Sequence, residues 1–206
     1  MSLLYRFGHV VTSAAAHCFF DFRVLHRHRL IENGPALIVA NHVSYFDPPL
    51  IGSAYERPIW FLARKTLFRG FGAWLYPRLN CIPIDQEGSD ISGVKTIIRL
   101  LRGGERVLLF PEGSRSLDGA LQAAEPGVGL VICRANVPVQ PLRLFGAHEA
   151  LPPGSTLPRP SRIRLVVGEP FELAPGEQAG KGRDFYRSLG NRVMKEIAAL
   201  ELPSDL

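Results

Sequence analysis

Short apolar runs alternate along this chain with stretches of helical periodicity, and that alternation restricts the fold more than any other feature. Ala36–Ala40 and Val107–Phe110 are apolar at every position, and Cys81–Ile84, Val137–Leu144 and Ile163–Val167 read as further strands. Runs without polar alternation suit strands covered on both faces. Between them, Ile91–Leu101 has the pattern of an amphipathic helix closed by Gly103-Gly104. Val128–Ala135 reads as helical, and Phe185–Leu200 as a closing helix with Leu189, Val193, Ile197 and Leu200 on one face. The proline-rich segment Leu151–Pro160 reads as a loop. The alternation predicts an α/β fold: a single domain with a central mixed, largely parallel sheet flanked by helices. The 206 residues, 46% hydrophobic, suffice for one sizeable core and are few for two independent domains. That domain is expected over residues 31–206, behind an N-terminal segment of residues 1–30.

Ser2–Leu30 reads as an amphipathic helix, with Leu3, Leu4, Phe7, Val10, Val11 and Ala14 at helix-like spacing. It ends in a basic cluster, Arg23, His26, Arg27, His28 and Arg29. Such a cluster suits either a solvated helix end or an interfacial helix on anionic lipid. A spanning helix needs roughly 20 mostly apolar residues. The best candidate, Gly8–Phe20, is shorter and holds His9 and His17, so no spanning helix is expected. It also makes a poor signal peptide, since polar groups interrupt it.

Arg57–Ile84 carries Arg57, Arg64, Lys65, Arg69 and Arg78 and no acid, interleaved with aromatics that include both tryptophans, Trp60 and Trp74. Trp60, Phe68 and Trp74 with Arg64 and Arg69 are expected to form a membrane-contact face. An ordinary amphipathic helix with its aromatics in the core is the alternative. No nucleic-acid motif accompanies the stretch, which disfavours base stacking and a nucleic-acid partner. The excess of 24 Lys and Arg over 19 Asp and Glu favours anionic partners in general. Cys18, Cys81 and Cys133 are odd in number and widely spaced, which argues against a disulfide framework and a structural zinc site and fits a reducing compartment. Each is expected to be buried and inert.

The chemistry-bearing residues follow strands. His42 and Asp47 come directly after the Ala36–Ala40 run, where open α/β sheets build sites. A histidine whose second nitrogen meets a carboxylate has a fixed tautomer and serves as a general base near neutral pH. With six histidines, roughly 0.3 such spacings arise by chance, so the pair alone is a weak signal. Asp47 also stands where it would cap a helix opening at Pro48, and both roles can coexist. Glu112, Gly113, Ser114 and Arg115 occupy a loop after Val107–Phe110. Arginine there suits the fork geometry of a phosphate, and glycine permits close backbone approach; a glycine turn with a surface ion pair is the bland alternative. There is no Gly-x-Ser-x-Gly elbow, no glycine-rich nucleotide loop and no helical zinc motif, so neither a nucleophile nor a metal is expected.

Four segments in this order resemble the glycerolipid acyltransferases typified by 1-acyl-sn-glycerol-3-phosphate acyltransferase. Asn41-His42-Val43-Ser44-Tyr45-Phe46-Asp47 looks like the family's His-x4-Asp block, and Cys81-Ile82-Pro83-Ile84-Asp85 like its second. Phe110-Pro111-Glu112-Gly113-Ser114-Arg115-Ser116 is very close to the third, and Val137-Pro138-Val139-Gln140-Pro141-Leu142 is similar to the fourth. The resemblance covers roughly residues 34–168. It implies acyl transfer from acyl-CoA or acyl carrier protein to lysophosphatidate, giving phosphatidate, with no cofactor. His42 would take the acceptor's hydroxyl proton, Asp47 would orient His42, and Glu112, Gly113, Ser114 and Arg115 would form the acceptor site, Arg115 on its phosphate. The enzyme would work at the cytoplasmic face of a membrane as a peripheral or monotopic protein. One departure matters: Gln86 stands where the family commonly has arginine, and glutamine cannot neutralise a phosphate. Either Lys65 compensates, or the acceptor is another one: glycerol 3-phosphate, another lysophospholipid or a lyso-aminolipid. A catalytically silent lipid-binding protein on the same fold, and a hydrolase releasing free fatty acid that the lack of a nucleophile elbow disfavours, are the remaining alternatives.

Overall fold

The structure, a computed structural model, describes residues 2–85, 91–177 and 180–203. Seven strands and seven α-helices follow one another among these residues. Helix α1 (Leu3–Phe20) leads into β1 (Arg23–Leu25), then β2 (Ala36–Ala40) and α2 (Asp47–Ala54). Next come β3 (Phe61–Arg64), α3 (Phe71–Arg78), β4 (Cys81–Ile84), α4 (Ile91–Arg102) and β5 (Arg106–Leu109). The chain finishes with α5 (Pro126–Ala135), β6 (Val139–Phe145), α6 (Ala147–Ala150), β7 (Arg164–Val167) and α7 (Arg183–Ala198).

The main sheet has the order β1-β7-β6-β2-β5, and only the β6–β7 pair is antiparallel. Strands β3 and β4 form a parallel pair of their own, with Phe61 opposite Cys81 and Arg64 opposite Ile84. Trp60 joins this pair to the main sheet: its N–H donates to Arg106 O and its carbonyl accepts from Leu108 N–H, both at 2.8 Å. All five residues of β2 are buried, and the pleat divides them between two cores. Ile38 and Ala40 join Leu108, Leu142 and Leu144 on the face covered by α1 and α2. Leu37 and Val39 join Val107, Leu109 and Val139 under α4, α5 and α7. The unbroken apolar runs therefore reflect burial on both faces, as expected of a covered parallel sheet.

Proline and side-chain caps set several helix ends. Ser2 Oγ accepts the Tyr5 N–H at 3.1 Å and opens α1. Pro126 stands in the first turn of α5, and Asn136 closes it in the left-handed region at φ 52°. Gly146, at φ +80°, turns the chain out of β6, and a Cβ there would lie 2.0 Å from Arg162 O, so only glycine fits.

The N-terminal segment departs from the expected Ser2–Leu30 helix. The helix stops at Phe20, Asp21 takes a left-handed cap at φ 38°, and Arg23–Leu25 form a strand parallel to β7. Burial of Phe22 and the Asp21–Arg164 ion pair at 2.8 Å draw this stretch onto the sheet edge. The basic cluster is accordingly no helix end. Arg23 pairs with Asp21, Arg29 with Glu169 at 2.8 Å, and Arg27 approaches Glu56 at 3.9 Å. Arg57–Ile84 is likewise not one helix but the β3–α3–β4 unit. Trp60 is half-buried: its backbone pairs on β5, and part of the ring packs against the core. Of the cysteines, only Cys133 is buried; Cys18 is exposed and Cys81 half-buried. No helix among the described residues is long and apolar enough to cross a membrane.

Candidate functional site

Parallel pairing of β2 and β5, with Val39 opposite Leu109, brings the loops after both strands to one edge of the sheet. The His-x4-Asp block follows β2 and the Phe-Pro-Glu-Gly block follows β5, so blocks about seventy residues apart in sequence become neighbours. Asn41 fixes the exit from β2: its Nδ2–H donates to Leu144 O at 3.0 Å and its Oδ1 accepts Leu144 N–H at 2.7 Å. This side chain continues the β2–β6 ladder where the backbone turns away.

Asp47 is wholly buried, and one of its oxygens, Oδ2, accepts three hydrogen bonds. Val43 N–H and Ser44 N–H donate at 2.7 and 2.8 Å, and His42 Nδ1 lies at 2.7 Å. Since a carboxylate only accepts, the proton of His42 sits on Nδ1 and Nε2 keeps its lone pair. Asp47 is not the helix cap expected of it: Phe46 stands at the N-cap of α2 with no side-chain cap bond, and the two backbone donors precede Asp47, so its carboxylate pins the loop after β2 instead. The ring of His42 stacks on Phe110 with centroids 3.9 Å apart and planes 12° apart. Its main chain is held as well: His42 N–H donates to Glu112 Oε1 at 3.3 Å and its carbonyl accepts Ser116 N–H at 2.8 Å.

Glu112 is buried, and burial pushes its carboxyl up from the ordinary 4.5 to about 7, opposed by donors from His42 and Gln122. In the unfolded chain the group titrates near 4.5, so between pH 4.5 and 7 the folded protein holds the extra proton. Stability therefore falls as pH rises through that window and levels off above it. Glu112→Gln is expected to remove this slope from a plot of Tm against pH between 4.5 and 7; an unaltered slope would contradict the assignment.

Gly113, at φ +69°, turns the loop; a Cβ there would lie 2.8 Å from Glu125 Cγ. Arg115 lies over the Tyr45 ring, its Cζ 3.4 Å from the centroid. A cavity of about 440 Å³ opens beside these groups, lined by His42, Tyr45, Gly113, Ser114 and Arg115 at one end. Its apolar walls come from Phe61, Leu62, Leu67, Tyr76 and Ile84, and α1 closes it with Tyr5, Gly8, His9 and Thr12. Helix α1 is anchored there: Tyr5 Oη accepts Ile59 N–H at 3.1 Å, and His9 Nε2 lies 2.9 Å from Tyr55 O. Cys81 also lines the cavity, its thiol pushed up to about 12 by burial.

Of the expected residues, His42, Asp47, Glu112, Gly113, Ser114 and Arg115 are thus brought together. Lys65 is not: it lies exposed in the turn after β3, and Arg64 lines the cavity instead. Arg69 and Trp74 are exposed and Phe68 is half-buried, packed near Tyr76. Gln86 lies outside the described residues. Sequence reasoning missed Tyr45 and Gln122. Tyr45 was inside a recognised block, whereas Gln122, whose Nε2–H donates to Glu112 Oε2 at 3.2 Å, carries no local signal.

A covered α/β sheet with a His–Asp pair at its carboxyl edge, facing an apolar cavity with arginines, defines a site suited to proton transfer on an amphipathic substrate. A family model described as Acyltransferase matches residues 21–144, and the chain belongs to that acyltransferase family. It is 30% identical over 196 residues to a 1-acyl-sn-glycerol-3-phosphate acyltransferase of Chlamydomonas reinhardtii, covering 91% of this chain and 55% of that protein. The similarity to the chloroplastic enzyme of that name from Arabidopsis thaliana is 28% over 141 residues, or 66% and 39% of the two chains. With the Bacillus subtilis enzyme of that name it is 29% over 156 residues, 69% and 72%. The chain therefore spans about half or less of the length of the two plant and algal relatives. The crystal structure of the 1-acyl-sn-glycerophosphate acyltransferase PlsC from Thermotoga maritima has the same fold, with TM-score 0.72 at 24% identity, covering 97% of this chain and 80% of that one.

Proposed function

We propose that the protein moves a fatty acyl group from an acyl thioester, acyl-CoA or acyl carrier protein, to the free hydroxyl of 1-acyl-sn-glycerol 3-phosphate. The observation that carries this reading is the His42–Asp47 pair at the mouth of an apolar cavity that also holds Arg64 and Arg115. His42 Nε2 takes the hydroxyl proton as the oxygen attacks the thioester carbonyl. The tetrahedral intermediate then expels the thiolate, and the imidazolium returns the proton to it. Asp47 stabilises the imidazolium between these steps. The transfer is direct, without a covalent acyl-enzyme. Arg115 and Arg64 meet the acceptor's phosphate, Gly113 and Ser114 give it backbone access, and the apolar walls take acyl chain. Arg64 supplies the cation at this site that was expected of Lys65.

The lipid reaches this cavity from a membrane surface on the same reading. The outer face of α1 exposes Leu3, Phe7, Val10 and Val11, while its inner face lines the cavity. Phe71, Trp74 and Leu67 are exposed as well, Leu67 at the cavity, in a stretch that also exposes Lys65 and Arg69. Each basic residue at an anionic membrane contributes about 1 kcal/mol, a factor of roughly 5. Lys65→Ser with Arg69→Ser is thus expected to weaken binding to anionic vesicles about 25-fold at low salt. Unchanged co-sedimentation would count against this face.

An acceptor panel tests the substrate. Lysophosphatidate, glycerol 3-phosphate, lysophosphatidylcholine and a lyso-aminolipid are offered with palmitoyl-CoA, and kcat/KM is compared. Preference for lysophosphatidate supports the proposal. Preference for another acceptor would keep the chemistry and replace the substrate, a reading that Gln86 favours.

A further inference from the structure

We infer that Tyr45 determines acceptor specificity by holding Arg115 through its ring face, which leaves the guanidinium uncompensated for an anionic headgroup. The inference rests on the acyl-transfer reading of the site. Arg115 reaches across from the loop after β5 and lies 3.4 Å over the ring of Tyr45, which belongs to the loop after β2. Its Nη1 is enclosed by protein yet has no hydrogen-bond partner among the described residues. The ion pairs among the described residues engage Arg23, Arg27, Arg29, Arg106, Arg164 and Arg192, and none includes Arg115.

The choice of partner matters chemically. A carboxylate holding Arg115 would occupy its fork and cancel its charge, so an incoming phosphate would have to displace it. An aromatic face orients the guanidinium through its quadrupole and leaves the charge and the in-plane N–H donors available. Tyr45 takes no part in core packing: it is 58% exposed, lines the cavity and is absent from both hydrophobic cores. Its place three residues after His42 ties the position of the headgroup to the position of the base. A rigid link between the two loops sets how far a phosphate-anchored acceptor holds its hydroxyl from Nε2.

Tyr45 is a positioning residue, and its test separates recognition of phosphate from folding. Acyl transfer is measured with lysophosphatidate and with the phosphate-free monoacylglycerol for wild type, Tyr45→Leu, Tyr45→Phe, Arg115→Ala and the Tyr45→Leu/Arg115→Ala double variant. Tyr45→Leu is expected to raise KM for lysophosphatidate by about 2- to 30-fold, the range of a cation–π contact. The KM for monoacylglycerol stays in place, Tyr45→Phe restores wild-type behaviour, and Tyr45→Leu adds nothing once Arg115 is gone. Equal losses on both acceptors, or an undiminished effect in the Arg115→Ala background, would overturn the inference. Binding of lysophosphatidate to His42→Ala and His42→Ala/Tyr45→Leu, followed by calorimetry, needs no turnover. Weaker binding in the second supports the inference even if acyl transfer is absent, which would sink the functional reading alone. Equal binding, or none to either, overturns it.

Discussion

His42→Ala is expected to lower acyl transfer by roughly 10²- to 10⁴-fold, the usual contribution of a positioned general base, with little loss of stability. The ring is only 18% exposed, yet its main chain carries the structural bonds, to Glu112 and Ser116, and these survive the substitution. What disappears is Nε2, the ring nitrogen that keeps its lone pair on a residue lining the cavity. His42→Gln keeps a polar side chain without a base of suitable strength and is expected to be equally inactive. Steady-state rates beside thermal melts check this. An active His42→Ala enzyme, or an inactive one that has merely unfolded, would remove the support for His42 as base.

Asp47 is expected to show a different signature, because its carboxylate has two duties. Asp47→Ala strips the partner from two buried amides and from Nδ1–H at once. Breaking a buried ionic contact of this kind costs about 3–5 kcal/mol, so a marked drop in Tm accompanies inactivity. Asp47→Asn is the informative partner. A carbonyl oxygen at the position of Oδ2 still accepts the amides of Val43 and Ser44, so the loop is retained, while the negative charge that stabilises the imidazolium is lost. Its rate is expected to fall by roughly 10²-fold or more, in line with the loss of a charged orienting group in other hydrolytic and transfer sites. A folded Asp47→Asn enzyme with wild-type rates would leave Asp47 an anchor of the loop backbone and nothing else.

The two buried strands and the loops after them were legible because their physics is local. Ala36–Ala40 and Val107–Phe110 are apolar on both faces, and turn chemistry bounds them. Once the two strands are paired in parallel, His42, Asp47 and Glu112 must share an edge. The N-terminal segment was misread for the opposite reason. Arg23–Leu25 is an edge strand whose pairing depends on β7, about 140 residues later, and whose arginines look like a helix end in isolation. The exchange of Arg64 for Lys65 is a question of one residue: β3 carries Arg64 to the cavity, and the turn that follows throws Lys65 outward. Periodicity cannot resolve a strand end that finely. The pairing of Trp60 to β5, which packs part of its ring on the core, has no sequence signature. Gln122 and the α1 wall of the cavity are set by contacts between distant segments, such as Tyr5 with Ile59, which no window of sequence contains.

Product analysis by mass spectrometry tests the central claim, direct acyl transfer by the His42–Asp47 pair, most directly. Protein is mixed with palmitoyl-CoA, lysophosphatidate and liposomes, beside His42→Ala and a control without acceptor, and both lipid products and intact protein mass are recorded. The account predicts phosphatidate from the wild type alone, in step with thioester consumed, and no acylated protein. Free fatty acid as the main product, or a protein mass raised by one acyl group during turnover, would contradict it.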